Sequence, residues 1–219
     1  MVDPTGHAPQ WLQILGWIGL AVGVLICTIA IGILTAGVGT ATFLGAVAVG
    51  AAKVALIGAT IGVGAEAIFG GAGAIIAGNE FGSSEFWSDV LYGGMLGFGI
   101  GAFVGAISGG FYGANGWYNA KALEFTNAGS NEVVLGRSPG YVDVARSRGA
   151  TYFHITDDIW KVTQSMKGVG SKGMWRINKA FLKQQIKAGA HFTLVDSTSG
   201  YFYAKEVAYV MKYGIYAFL

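Results

Sequence analysis

The chain has 219 residues, of which 53% are hydrophobic and 12% charged, with 37 glycines, one cysteine and a formal net charge of +2. A lone cysteine excludes a disulfide framework, a cysteine-based metal site and the cysteine pair of a zinc deaminase. The averages conceal two unlike regions: residues 1–120 hold 27 of the glycines and one Lys against five acids, whereas residues 121–219 hold thirteen Lys and Arg against seven acids. An apolar task and a polar one therefore fall to separate parts of the chain.

Residues 10–118 read as a glycine-rich hydrophobic helical region of membrane type. No Asp, Glu, Lys or Arg occurs from Pro4 to Ala52, and Glu66 is the one charge in residues 54–79. A bilayer-spanning helix needs roughly 20 such residues, so two to four apolar helices are expected. The plausible breaks are "TAGVGT" (35–40), "AAKVA" (51–55) and "GNEFGSSEFWSDV" (78–90). The first ten residues carry no basic run, so no secretory signal peptide is expected. Cys27 reads as a small buried apolar side chain.

The last of these helices holds glycine at 93, 97, 101, 105, 109 and 113. Each glycine disfavours a helix by about 0.8–1 kcal/mol relative to alanine. A four-residue period puts all six on one stripe, and a small-residue stripe is rewarded where two helices approach backbone to backbone in lipid. Membrane insertion, translocation or the formation of a lesion would each use such packing.

Residues 119–131 read as a linker and 132–219 as a small α/β domain. "EVVLG" (132–136) is a predicted strand, and Pro139 opens a helix that Gly149 ends. "TYFHI" (151–155) is a second strand, and Thr156 with Asp157 and Asp158 opens a helix. "GVGSKG" (168–173) reads as a flexible break. "MWRINKAFLKQQIKAGA" (174–190) is a helix, "HFTLV" (191–195) a third strand, "YFYAKEVAYVMKYG" (201–214) a helix and "IYAFL" (215–219) a fourth strand. This alternation predicts a mainly parallel sheet covered by helices. The fold class is thus a membrane-type helical region followed by a small α/β domain.

Ligands of such sheets gather beyond the carboxyl ends of the strands. The candidates there are Arg137, His154, Asp157, Asp196, Ser197 and, on the last helix, Glu206. They offer a cation, a base, carboxylates and a hydroxyl, the groups that phosphodiester cleavage employs. Lys179, Lys183 and Lys187 recur every four residues with Arg176 nearby, which suits a nucleic-acid backbone. No P-loop and no G-x-G-x-x-G after a strand occurs.

Val2, Asp3, Pro4, Thr5 and Gly6 resemble the VDPxG signature that closes the core of Rhs and YD-repeat proteins ahead of their variable C-terminal toxins. The resemblance implies that residues 1–9 end a core signature and that the rest is a toxin delivered to a target-cell membrane and cytoplasm. It further implies an enclosing Rhs cage before release and a cognate immunity protein, expected to be acidic. Residues 132–214 are also similar to a module at the C-termini of other bacterial polymorphic toxins. Arg137, the "STS" at 197–199 and Glu206 resemble the ordered set of arginine-targeting ADP-ribosyltransferases, although Ala204 replaces the first acid of their closing E-x-E. The expected function is an antagonism toxin acting on nucleic acid. A pore-forming toxin and an NAD-consuming enzyme are the alternatives.

Overall fold

The computed structural model describes residues 10–37, 39–40, 42–76, 78–165, 167–195 and 200–219, in two compact units divided between Trp117 and Tyr118. The first unit contains helix α1 (Gln10–Thr35), helix α2 (Phe43–Ile76) and most of helix α3 (Ser84–Glu124). Each is long and apolar enough to cross a membrane. The breaks at 35–40 and 78–90 coincide with the turns. The expected break at "AAKVA" is absent: Ala52 and Ala55 are buried while Lys53 turns outward, so one exposed cation interrupts nothing.

Side-chain caps start two of these helices. The Gly45 amide donates to Thr42 Oγ1 at 3.0 Å, and the Phe86 amide donates to Ser83 Oγ at 3.1 Å. Both hydroxyls satisfy amides that the first turn leaves without intrahelical partners. Asn79 also donates to Asp89 Oδ2 at 3.2 Å.

The glycine stripe of α3 lies against α2 in antiparallel register. Gly93, Gly97, Gly101, Gly105, Gly109 and Gly113 face Glu66, Gly62, Gly58, Val54, Gly50 and Ala46 in turn, and a Cβ at any of them would collide with a backbone carbonyl oxygen of α2. A parallel seam joins α1 to α3, where Gly16, Gly19 and Gly23 meet Tyr92, Leu96 and Phe98. Large side chains are turned the other way. Trp17, Leu25, Ile61, Phe69, Phe103 and Phe111 are all exposed. A water-soluble monomer seldom exposes so continuous an apolar surface.

The second unit is an α/β fold. Its elements are β1 (Thr126–Asn127), β2 (Ser130–Leu135), α4 (Gly140–Ser147), β3 (Ala150–Phe153), α5 (Asp157–Ser165), α6 (Lys167–Lys187), β4 (His191–Leu194), α7 (Tyr201–Tyr213) and β5 (Ile215–Phe218). The strand order is β1-β3-β2-β4-β5, with β1 antiparallel to β3 and every other pairing parallel. Val133 and Val134 of β2, Phe192 and Leu194 of β4, Phe181 and Leu182 of α6 and Val210 of α7 are fully enclosed. Alternation gives way to continuous burial in β2 and β3, as expected for strands covered on both faces.

Two expectations change here. The span expected as a linker carries the end of α3, all of β1 and the start of β2. β1 is only two residues long, too short for a periodic signal. "GVGSKG" lies inside α6 rather than in a loop. Its glycines cost helix propensity, but the turns that follow bury Met174, Ile177, Phe181 and Leu182, and helix propagation from a packed segment is cooperative.

Candidate functional site

The chain leaves β2 through α4 to reach β3 on one side, and leaves β4 through α7 to reach β5 on the other. Neighbouring strands with diverging connections open a crevice at their carboxyl ends. A cavity of about 340 Å³ lies there. Leu135 to Ser138 form the edge after β2, Phe153 to Ile155 the edge after β3, and Gly200 to Tyr203 the first turn of α7. Gly200 has φ 110°, a left-handed conformation that favours glycine, and the Arg137 side chain passes beside it.

Of the six proposed chemical residues, Arg137, His154, Asp157 and Glu206 line this one cavity. Asp196 and Ser197 lie outside the described residues. His154 directly follows β3, and its amide donates to the Phe125 carbonyl at 2.9 Å, which fixes the backbone where the strand opens into the cleft. Asp157 occupies the first turn of α5.

Glu206 belongs to the buried face of α7 with Tyr203, Val207 and Val210. Its neighbour Lys205 instead stands over the rings of Trp175 and Tyr201. The Glu206 carboxylate accepts a hydrogen bond from Asn178 Nδ2. Burial lifts the Glu206 pKa to about 7, and the Asn178 bond draws it the other way. A carboxyl that exchanges its proton near neutrality is suited to acid–base work. Tyr141, also on the cavity wall, donates its hydroxyl to the Phe153 carbonyl. Burial raises its phenol pKa, with the Glu206 charge adding to the effect, so Tyr141 stays a neutral positioning group.

The structure adds residues that sequence reasoning passed over. Asn178 is 5% exposed, and among the described residues its Oδ1 has no hydrogen-bond partner. A signal was present, since Met174, Asn178, Phe181 and Leu182 follow the spacing of one helix face, and a lone amide among core positions demands a partner. Trp160 of α5 and Phe202 of α7 form an aromatic wall, with ring centroids 5.4 Å apart at 68°. These two come from separate helices and share no local pattern.

The proposed nucleic-acid residues divide. Arg176 donates to the Tyr118 hydroxyl and stacks over that ring, whereas Lys179 lies over Tyr209 of α7. Lys183 and Lys187 are exposed. Lys179 joins Lys205 and Lys212, two lysines from α7, around a shallow groove with Trp175, Tyr209 and Tyr213. Among the described residues, no ion pair engages these three lysines, and no three His, Cys, Asp or Glu side chains come close enough together to hold a metal ion. No protein-family model, curated protein or solved structure matches the chain.

Proposed function

We propose that the chain is a bacterial antagonism toxin of Rhs type, in which the glycine-packed helices enter or cross the target membrane and the basic α/β unit cleaves an intracellular nucleic acid. The observation that carries this reading is the convergence of Arg137, His154, Asp157 and Glu206, which span 70 positions of sequence, on one cleft at the sheet's switch point. Arg137 and the amino-terminal turn of α7 favour a phosphate. His154 and Glu206 supply proton exchange. The exposed apolar faces of α1, α2 and α3 favour a lipid environment. The VDPTG resemblance supports the Rhs assignment but lies outside the described residues.

A pore-forming reading has one observation of its own. Glu66 sits inside α2, past its midpoint, half-buried against Gly97. An ionisable residue within a candidate span is by default a functional one. The ADP-ribosyltransferase reading gains Arg137 and Glu206 in one cleft, but the sheet is mainly parallel rather than the two antiparallel sheets of those enzymes.

Inducible expression of the full chain in a bacterium, with membrane potential and nucleic-acid integrity followed together, tests the proposal. Degraded RNA or DNA before any depolarisation, abolished by Arg137→Ala and Glu206→Gln, is the expected result. Immediate depolarisation that survives both substitutions would make the helices the weapon.

A further inference from the structure

Helix α7 has two faces of different content. Tyr203, Glu206, Val207 and Val210 are its buried residues. The outer stripe instead reads Tyr201, Lys205, Tyr209 and then Lys212 with Tyr213, so that rings and cations alternate. Steps of three and four residues keep all five on one side of a helix. Helix α6 adds Trp175 and Lys179, about one turn apart, to the groove that Lys205, Tyr209 and Lys212 line.

Each ammonium group is held by a ring rather than by a carboxylate. Lys179 Nζ lies 5.3 Å from the Tyr209 centroid, and Lys212 Nζ lies 5.1 Å from that of Tyr213. Lys205 Nζ stands 5.3 Å from the Trp175 centroid and 4.3 Å from that of Tyr201. A ring attracts a cation through its quadrupole but carries no net charge, and no described Asp or Glu lines the groove or pairs with these lysines. Three positive charges are therefore left for a partner that brings anions. Lys205 also joins the groove to the cleft, because its Nζ donates to the hydroxyl of Tyr201, a cleft residue, at 2.7 Å. The two surfaces share one edge.

Resting on the reading of this cleft as the nucleic-acid site, we infer that the groove continues it and grips the flanking segment of a single-stranded nucleic acid, which passes over Tyr201 and along α7. A single strand offers one planar base and one phosphate per repeat, which matches the alternation of rings and ammonium groups. Proteins hold such strands with a cationic groove and aromatic side chains on which the bases stack. Tyr201 and Tyr213 are both more than half exposed, so ring surface remains for a base. A duplex keeps its bases stacked on one another, and an acidic polypeptide would engage the lysines without needing the rings. From Tyr201 to Tyr213 the helix rises about 18 Å at roughly 1.5 Å per residue. That is the length of about five nucleotides at a stacked rise of roughly 3.4 Å. The substrate is then a strand or loop several nucleotides longer than the cleft itself holds.

Fluorescence anisotropy of the full Glu206→Gln chain in detergent micelles tests the inference, since loss of the carboxyl should leave a labelled strand uncut. The probes are an octanucleotide and a trinucleotide, each as DNA and as RNA, a hairpin duplex and an octaglutamate peptide. At least one octanucleotide is expected to bind about tenfold or more tightly than its trinucleotide, the duplex and the peptide, and the tighter of the two names the sugar. Lys179→Ala combined with Lys212→Ala, both outside the cleft, should bring the octanucleotide down to the affinity of the trinucleotide and leave the trinucleotide unchanged. Tyr209→Leu should weaken the octanucleotide about fivefold or more, the scale of one stacked base. Equal binding of the octanucleotides and trinucleotides, or binding of the duplex or the peptide as tight as that of the octanucleotides, overturns the inference. So does a length preference that survives the lysine pair or Tyr209→Leu. If Tyr209→Leu does not fold, the lysine pair decides alone. Nucleic-acid degradation in cells with no length preference in binding would spare the toxin reading and sink this one, and a groove-dependent length preference with cellular nucleic acid intact would do the reverse.

Discussion

The two units use smallness and bulk in opposite places. In the first, the residues at the helix contacts are glycine and alanine, and the large side chains Trp17, Ile61 and Phe103 face outward. In the second, Phe181, Phe192, Leu182 and Leu194 fill the interior, and lysines and arginines cover much of the outside. The inverted arrangement is the one that two different solvents would favour. Water drives large apolar groups inward, whereas in lipid, the surroundings proposed for the first unit, that force is absent and association depends on close packing. One chain thus contains two rules for building a core, and substitutions that are harmless under one should be ruinous under the other.

The largest effect is expected from replacing Gly97, Gly101 and Gly105 together by leucine. Their neighbours are backbone atoms of α2, which cannot rotate away. Overpacking costs about 1–3 kcal/mol per site even where side chains are free to adjust, so α2 and α3 should separate. Cysteine crosslinking between the two helices should then fail, and with it the membrane entry proposed for this unit. Leucine at Gly64, Gly73 and Gly116, where an added Cβ meets nothing within 4 Å, should leave crosslinking intact. The mirror experiment in the second unit is Phe181→Ala. Phe181 is fully buried, and truncation should cost about 3–5 kcal/mol, read from denaturant unfolding of that unit's signal with α2–α3 crosslinking unchanged.

This contrast also explains what the sequence discloses. The helical unit was legible because its signals are local: a charge-free run gives length, and a four-residue glycine period gives the contact face. The parallel sheet was legible from alternating strands and helices with Gly149, Gly189 and Gly214 at helix ends. Only tertiary structure shows that β4 crosses to the far side of β2, the step that creates the switch point. Arg137, His154, Asp157 and Glu206 could be named as groups following strands or on the last helix. Their meeting in one cleft, the role of Asn178 and the Trp160–Phe202 wall depend on contacts between distant segments. The lysine groove was half legible: Lys179 was named, while Lys205 and Lys212 enter from another helix.

Glu206 sharpens the comparison within the second unit, because it is a charged residue placed by the rule for apolar ones. Its folded pKa of about 7 stands above the ordinary carboxyl value of 4.5, so the folded state binds the extra proton between those values. Stability is unaffected below the lower pKa and falls as pH rises from about 4.5 to 7, by on the order of 3 kcal/mol in all. Glu206→Gln should flatten that decline in a pH series of unfolding curves. A decline of equal size in the variant would show that another group causes it.

The lysine groove should matter for binding rather than folding. Replacing Lys179, Lys205 and Lys212 by alanine removes three charges that no described carboxylate pairs. If the groove follows a single strand, the slope of log affinity against log salt should fall by roughly 2, at about 0.7 per phosphate contact. Fluorescence anisotropy with a labelled single strand at several salt concentrations measures it. An unchanged slope would assign the groove to some other surface.

The smallest effect is expected at Glu132, and its sign opposes that of Glu206. Glu132 Oε1 accepts from Thr193 Oγ1 at 2.6 Å and from Arg148 Nε at 2.9 Å, tying β2 to β4 and to the residue that follows α4. The Thr193 bond chiefly, and Arg148 secondarily, hold this carboxyl below its ordinary pKa. A depressed folded pKa contributes stability that is present above the unfolded value and lost as pH falls through the folded one. The group is near the surface, so the contribution is about 1 kcal/mol or less. Glu132→Gln should therefore lose stability at neutral pH and converge on the parent as pH falls through the lowered Glu132 pKa, the reverse of Glu206→Gln, which should gain at neutral pH and converge in acid. Parallel curves for the two variants would mean that burial does not set their difference, and that Glu206 exchanges its proton with solvent as freely as Glu132 does.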